Sequence, residues 1–269
     1  MSPPSERPAA KPPVRRHPSA GNLRNRPAAV PDPTPGESYP PLSFPAGAEE
    51  GPPLALGPGL DPDIAQRIFG SVEGKRILEL GSGTGRLAVS LAQQGAKVIS
   101  VDSSPERVAD ARAVAEAADV RIEYHQGDLA DLAFIRGDQI DLAISVYALA
   151  AVSDLGRVFR QVNRVLRSEA TLALSLPHPL ALMATLADGG PRLTRTYFDT
   201  EPLPWSLDGE EGVVYPHQVG DVVTTLWRSN FRVDSLLEPR IESGAGPHDS
   251  PIGEWVPTTL VIRARKQGI

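Results

Sequence analysis

The chain of 269 residues contains no cysteine. Disulfides, thiolate metal ligands and cysteine nucleophiles are therefore excluded, and thiols say nothing about redox compartment. No apolar run approaches the roughly 18 residues that a membrane-spanning helix needs. The opening "MSPPSERPAAKPP" lacks the hydrophobic region of a signal peptide. The expectation is a cytoplasmic protein with no membrane partner. An excess of positive charge is missing as well: the net charge is −6 and the pI about 5.4. The part expected to fold has no basic patch interleaved with aromatics, so no nucleic-acid partner is expected.

Branched aliphatics are scarce in residues 1–55, which are dense in Pro with Ala, Arg and Ser. Such a segment cannot bury enough surface to offset its ordering entropy, and a disordered Pro-rich tail is expected there. In its first part Arg7, Lys11, Arg15, Arg16, Arg24 and Arg26 face Glu6 alone. A solvated tail and a docking arm for an acidic partner both fit; the prolines oppose the amphipathic helix of a transit peptide. Residues 56–269 form the expected folded domain, and an apolar content of 41% suffices for a core.

From Leu60 the pattern becomes regular. "DPDIAQRIFG" reads as a helix with Asp61 as N-cap and Pro62 in its first position. "RILEL", "KVISVD", "VRIEYHQ", "QIDLAISV" and "TLALSL" read as strands. "GRLAVSLAQQG" ends at Gly95 as a helix should, and "SPERVADARAVAEAA" starts at Ser104 and Pro105. "LGRVFRQVNRVLR" is a helix with Val158, Val162 and Val165 or Leu166 inward. Alternating strands and helices over 75–176 imply an α/β fold with a parallel sheet covered on both faces. Its ligand site belongs at the carboxyl ends of the strands. Residues 177–216 break the pattern and read as a substrate-side loop or lid. A helix, "HQVGDVVTTLWRSN", and the strands "FRVDSLLEP" and "TTLVIRARK" follow.

The first strand runs into "ILELGSGTGRLAVS". A dinucleotide turn would be G-x-G-x-x-G, with its third glycine where Arg86 stands. Here Gly81, Gly83 and Gly85 are two residues apart, and Glu79 precedes them. A carboxylate at that point repels a pyrophosphate and suits a cationic ligand. Asp102 ends the second strand, a position suited to ribose hydroxyls. "QGDLADL" puts Asp128 at the same sheet edge, and the fourth strand brings Asp141 and Tyr147 around it.

In order and spacing these segments resemble the class I S-adenosylmethionine-dependent methyltransferases, in their small-molecule, type 11-like branch. "ILELGSGTG", "VISVDSSPERV" and "YHQGDLADL" look like the first three motifs, and "IDLAISVYALAAVSDLGRVFRQVNRVLRSEATLALSLPHP" like the fourth-to-fifth strand segment. The resemblance implies a Rossmann-like doubly wound, mostly parallel seven-stranded sheet with an antiparallel C-terminal strand. It implies methyl transfer from S-adenosyl-L-methionine to a small-molecule acceptor through O, N or C. The alternative is a non-catalytic regulatory or scaffold protein that binds the same cofactor. Residue by residue, Glu79, Gly81, Gly83 and Gly85 would hold the methionine portion. Asp102 with Ser103 would take the ribose, Asp128 and Leu129 the adenine. Ser145 and Tyr147 would line the path to the acceptor. Two departures stand out: Ala150 and Ala151 occupy the place where the family often has a His, and Ser168-Glu169-Ala170 replaces a Pro-Gly-Gly turn. No Asn-or-Asp-Pro-Pro-aromatic motif follows the fourth strand, which argues against adenine-N6 or glutamine amide methylation.

A base is needed only where the acceptor must lose a proton. His178 in "SLPHP" and His217 in "VYPHQV" are the candidate catalytic residues. With Tyr147, Tyr197 and Tyr215 they are expected to form the acceptor pocket, walled by 177–216, with Trp205 as a cover or plug. No metal site is expected.

Overall fold

The computed structural model describes residues 56–57, 60–187, 190–207, 210–240 and 251–268. The expected tail, 1–55, lies outside them. The strands are β1 (Arg76–Leu80), β2 (Lys97–Asp102), β3 (Glu123–Gln126), β4 (Ile140–Val146), β5 (Leu166–Pro177), β6 (Ala184–Ala187), β7 (Gly190–Leu193), β8 (Leu203–Leu207), β9 (Glu210–Val214), β10 (Phe231–Leu237) and β11 (Thr259–Lys266). The helices are α1 (Pro62–Phe69), α2 (Arg86–Gln93), α3 (Pro105–Ala117), α4 (Leu155–Val165), α5 (Pro179–Leu182) and α6 (Val219–Arg228). Seven strands form one sheet in the order β10-β11-β5-β4-β1-β2-β3, parallel except for β11, which runs antiparallel to both neighbours.

Side-chain alternation along the strands divides the core. Leu78, Leu80, Leu172 and Leu174 face one side, where Val158, Phe159 and Val162 of α4 and Leu226 of α6 cover them. Ile77, Leu142, Ile144, Ala173 and Val261 face the other, under Ala65, Ile68 and Phe69 of α1 and Ala88 and Leu91 of α2. The helix boundaries follow local chemistry. Asp61 accepts the Asp63 N–H at 2.7 Å, and Ser104 accepts the Arg107 N–H at 3.1 Å. Helix α2 closes with Gly95 at φ +86, its N–H bound to Ala92 O and the Ala96 N–H to Leu91 O.

Three expectations need correction. No helix joins β3 to β4; the connection consists of turns, and Arg164 of α4 pins it by donating to Leu132 O at 2.7 Å and Ile135 O at 2.8 Å. Asp141 sits at the amino end of β4, away from the ligand edge, where it accepts the Arg76 N–H at 2.8 Å and pairs with Arg167. Residues 177–216 hold α5 and two hairpins, β6–β7 and β8–β9, not an irregular loop. Prolines 191 and 204 made the stretch read as loop; in a two-stranded ribbon every strand is an edge, and an edge tolerates proline. Where the family's turn has glycines, Glu169 adopts φ +61, and its carboxylate accepts the Gly268 N–H at 3.2 Å.

Candidate active site

The carboxyl ends of β1, β2, β4, β5 and β10 and the start of β11 meet at one edge of the sheet. Glu79, next to last in β1, is 2% exposed. Ser100, its register partner on β2, donates a hydrogen bond to Oε2. Burial drives this carboxyl up to about 8. The Ser100 hydroxyl and the Ala88 N–H pull it down, while the negative charge of Asp102 pushes it up.

The three glycines differ in what surrounds them. All have left-handed backbones, at φ +90, +49 and +77 for Gly81, Gly83 and Gly85. A Cβ on Gly81 would lie 2.1 Å from Ala148 Cβ, and one on Gly85 would lie 2.8 Å from Ala111 Cα on α3. Only at Gly83 would it meet open space. Two of the glycines thus permit close packing within the chain, and Gly83 offers the open backbone.

Asp102 is 3% exposed and ties this turn to the next. Its Oδ2 accepts the Ser82 N–H at 2.8 Å and the Ser82 hydroxyl at 3.2 Å; its Oδ1 accepts the Ser104 N–H at 3.0 Å. Asp102→Asn puts an NH2 group or a single acceptor where three donors converge, and buried donors left unmatched are costly. It is expected to lower the melting temperature and to weaken S-adenosylmethionine binding by about tenfold or more, measured by thermal melting and titration calorimetry. Ser103 beside it is exposed. Asp128 accepts the Ala130 N–H at 2.8 Å and lies 3.5 Å from Arg157 Nη2, so it shapes a turn while keeping half its side chain exposed; Leu129 is buried. Ser145 is fully buried and donates to Leu80 O at 3.0 Å, bridging β4 to β1.

The five expected acceptor residues fall into two groups. Tyr147, at φ +58, bonds Thr259 Oγ1 through its hydroxyl at 2.5 Å, and burial raises its pKa. The His178 N–H next to it donates to Thr258 O at 2.9 Å. His178 as a whole is 2% exposed. Its Nδ1 accepts the Leu180 N–H at 3.2 Å, so the proton sits on Nε2, which donates to Glu238 Oε1 at 2.9 Å. Burial holds its pKa below the ordinary value against Glu238.

The second group gathers at the start of α6. The Tyr197 hydroxyl accepts the Val219 N–H at 3.3 Å, and the rings of Tyr215 and His217 are 6.3 Å apart. His217 Nε2–H donates to Val152 O at 2.9 Å. Burial lowers its pKa, opposed by the Val152 and Leu149 carbonyls and by Asp221. A cleft of about 250 Å³ opens here, lined by Tyr215, His217, Thr200, Asp154 and Asp221 among others. Trp205 falls on β8, with its side chain outside the described residues.

A short 3-10 turn, Ala148–Ala151, joins the two halves. Ala148 packs on Gly81, Ala150 O accepts the Tyr215 N–H at 2.8 Å, and the adjoining Val152 carbonyl holds His217. This is the segment where the alanines stand in place of histidine. Motif spacing did not single out Ser82, Ser100, Thr259 or Glu238. Ser100 had a signal, as a lone hydroxyl in a buried aliphatic strand. Among the described residues, no group of three or more His, Asp or Glu is placed to hold a metal, and no helix is long and apolar enough to cross a membrane.

Comparison with known proteins agrees with this geometry. A family described as "Methyltransferase domain" matches residues 77–169. A protein named ubiquinone biosynthesis O-methyltransferase from Azorhizobium caulinodans is 30% identical over 120 residues, 42% of this chain; the chain spans about half of that relative, 47% of its length. A protein of the same name from Xanthomonas oryzae pv. oryzae is 28% identical over 177 residues, 61% of this chain and 73% of that protein. A crystal structure of an S-adenosylmethionine-dependent methyltransferase from Mesorhizobium loti superposes with a TM-score of 0.64 at 28% identity, covering 74% of this chain and 94% of that one. With the sheet order and the glycine turn described above, these likenesses support a class I S-adenosylmethionine-dependent methyltransferase.

Proposed function

We propose that this protein transfers the methyl group of S-adenosylmethionine to an oxygen of a small-molecule acceptor. The observation that carries the reading is the pair of buried carboxylates, Glu79 and Asp102, on neighbouring strand ends around a left-handed glycine turn with one open backbone face at Gly83. Such a turn suits a ligand with a cationic amino-acid end and a ribose. The relatives named O-methyltransferases support an oxygen nucleophile.

The donor sulfonium is already activated, so the protein's task is alignment and exclusion of water. In this reading the backbone at Gly83 and the Glu79 carboxylate hold the methionine end, and Asp102 takes the ribose. The acceptor enters beside the Ala148–Ala151 turn. Its hydroxyl loses a proton to the unprotonated Nδ1 of His217, while Nε2–H stays bound to the Val152 carbonyl. Tyr215 and the cleft beside it form the acceptor wall.

The test is incubation of the full chain with methyl-labelled S-adenosylmethionine and a panel of hydroxylated and amino compounds, read by mass spectrometry. Labelled methyl ethers are the expected products. Label on nitrogen or carbon alone would refute the oxygen assignment, and no transfer to any acceptor would refute the enzymatic reading.

A further inference from the structure

We propose that Ser100 is a positioning residue for the cofactor site: from within β2 its hydroxyl donates to Glu79 Oε2 and fixes the carboxylate that meets the cationic end of S-adenosylmethionine. The proposal rests on the reading that Glu79 belongs to that site.

Ser100 stands between Ile99 and Val101 in a strand whose last five residues are all buried, and is itself 0% exposed. An aliphatic side chain would suit the packing there. A hydroxyl in such a place is costly unless it is bonded, and its partner is Glu79, directly across the parallel ladder. Glu79 has one rotatable bond more than an aspartate at the same position. Without the hydroxyl its carboxyl group has no side chain to fix its direction among the described residues. Asp102 on β2 and Tyr124 on β3 are the titratable groups whose charge couples to it, and α2 contributes the Ala88 N–H. None of these is a cation, so the positive charge that a buried carboxylate calls for is left for the ligand to bring.

A consequence follows for pH. With its pKa near 8, Glu79 is largely neutral at neutral pH in the free protein. A bound cation favours the ionised form, so binding releases a proton below that pH. Affinity then rises with pH between about 6 and 8, by up to about tenfold per pH unit. The Ser100 hydroxyl favours the ionised form and leads the influences that lower the pKa. Removing it moves the rise in affinity to higher pH.

The experiment is titration calorimetry of the full chain with S-adenosylmethionine across that pH range, in two buffers of different ionisation heat, to count released protons. Wild type is expected to show the rise and the release. Ser100→Ala is expected to bind about tenfold more weakly at pH 7, with the rise displaced upward and the melting temperature close to wild type. In a Glu79→Gln background, Ser100→Ala is expected to have no further effect on binding. If Ser100→Ala does not fold, Ser100→Cys, a weaker donor of similar size, carries the same comparison. An unchanged affinity and pH profile in the Ser100 variant, or an equal loss in the Glu79→Gln background, overturns the proposal. Wild-type affinity in Glu79→Gln alone instead overturns the underlying reading of Glu79, and the two failures are told apart by that variant.

Discussion

His217→Ala is expected to lower turnover by about a hundredfold or more, with affinity for S-adenosylmethionine within about twofold of wild type. The geometry separates the two candidate histidines. His217 has one nitrogen committed to the Val152 carbonyl, which leaves Nδ1 as the proton acceptor in the neutral ring. Burial lowers its pKa, so the ring is neutral and competent at neutral pH. Turnover should fall only as pH drops through a value below the ordinary histidine pKa of about 6.5, because protonation removes the acceptor lone pair. His178 differs in having both nitrogens engaged, one capping α5 and the other bonded to Glu238. His178→Ala is expected to lower the melting temperature by several degrees, since losing a buried cap costs about 0.5–2 kcal/mol, with a much smaller fall in turnover. Steady-state kinetics across pH, together with thermal melting, measure both variants. Equal falls in turnover from both would sink the distinction.

Gly85→Ala is expected to cost about 2–5 kcal/mol of stability, combining left-handed strain with an overlap that helix backbone cannot relieve. Its Cβ would press on Ala111 Cα and Cβ at 2.8 and 2.9 Å, and Ala111 is wholly buried in α3. Gly83→Ala makes the informative contrast. Its φ of +49 carries strain of about 1–2 kcal/mol, but nothing lies within 4 Å of the added methyl. That methyl occupies the open side of the turn, where the cofactor backbone is expected to approach. Binding should therefore fall by more than about tenfold with little further loss of fold. Urea unfolding and calorimetry on the two variants separate the roles; equal effects on stability and binding in both would show that the glycines are interchangeable.

The scaffold was legible because its signals are local and repeated. Strands such as "RILEL" and "KVISVD" are buried on both faces and carry their glycine or acid at the exit, and α1 and α3 announce themselves by cap and proline. The pattern supplied the last strand, "TTLVIRARK", and the family resemblance its antiparallel direction. The acceptor side was less legible. Tyr147, His178 and Ser145 stand at the expected strand ends, yet their partners, Thr259, Glu238 and Leu80, come from segments 60 to 112 residues away in the chain. No periodicity encodes such pairings. The hairpins were hidden for a different reason: a two-stranded ribbon needs no buried apolar run, so its prolines, glycines and acids mimic a loop.

Those two hairpins have one more property. Strands β6 and β7 pair with each other, as do β8 and β9, and none of the four adds a rung to the seven-stranded sheet. The second ribbon is moored to the main body through Leu203 and Val214, which enter the core, and through the Tyr215 N–H on Ala150. Selection can therefore lengthen, shorten or rewrite the ribbons without disturbing the register that sets Glu79 and Asp102 beside the glycine turn. The proposed donor half is held by the sheet, whereas the proposed acceptor wall at Tyr215 and His217 follows directly on the second ribbon. A chain built this way can change the molecule it modifies while keeping the reagent it modifies with.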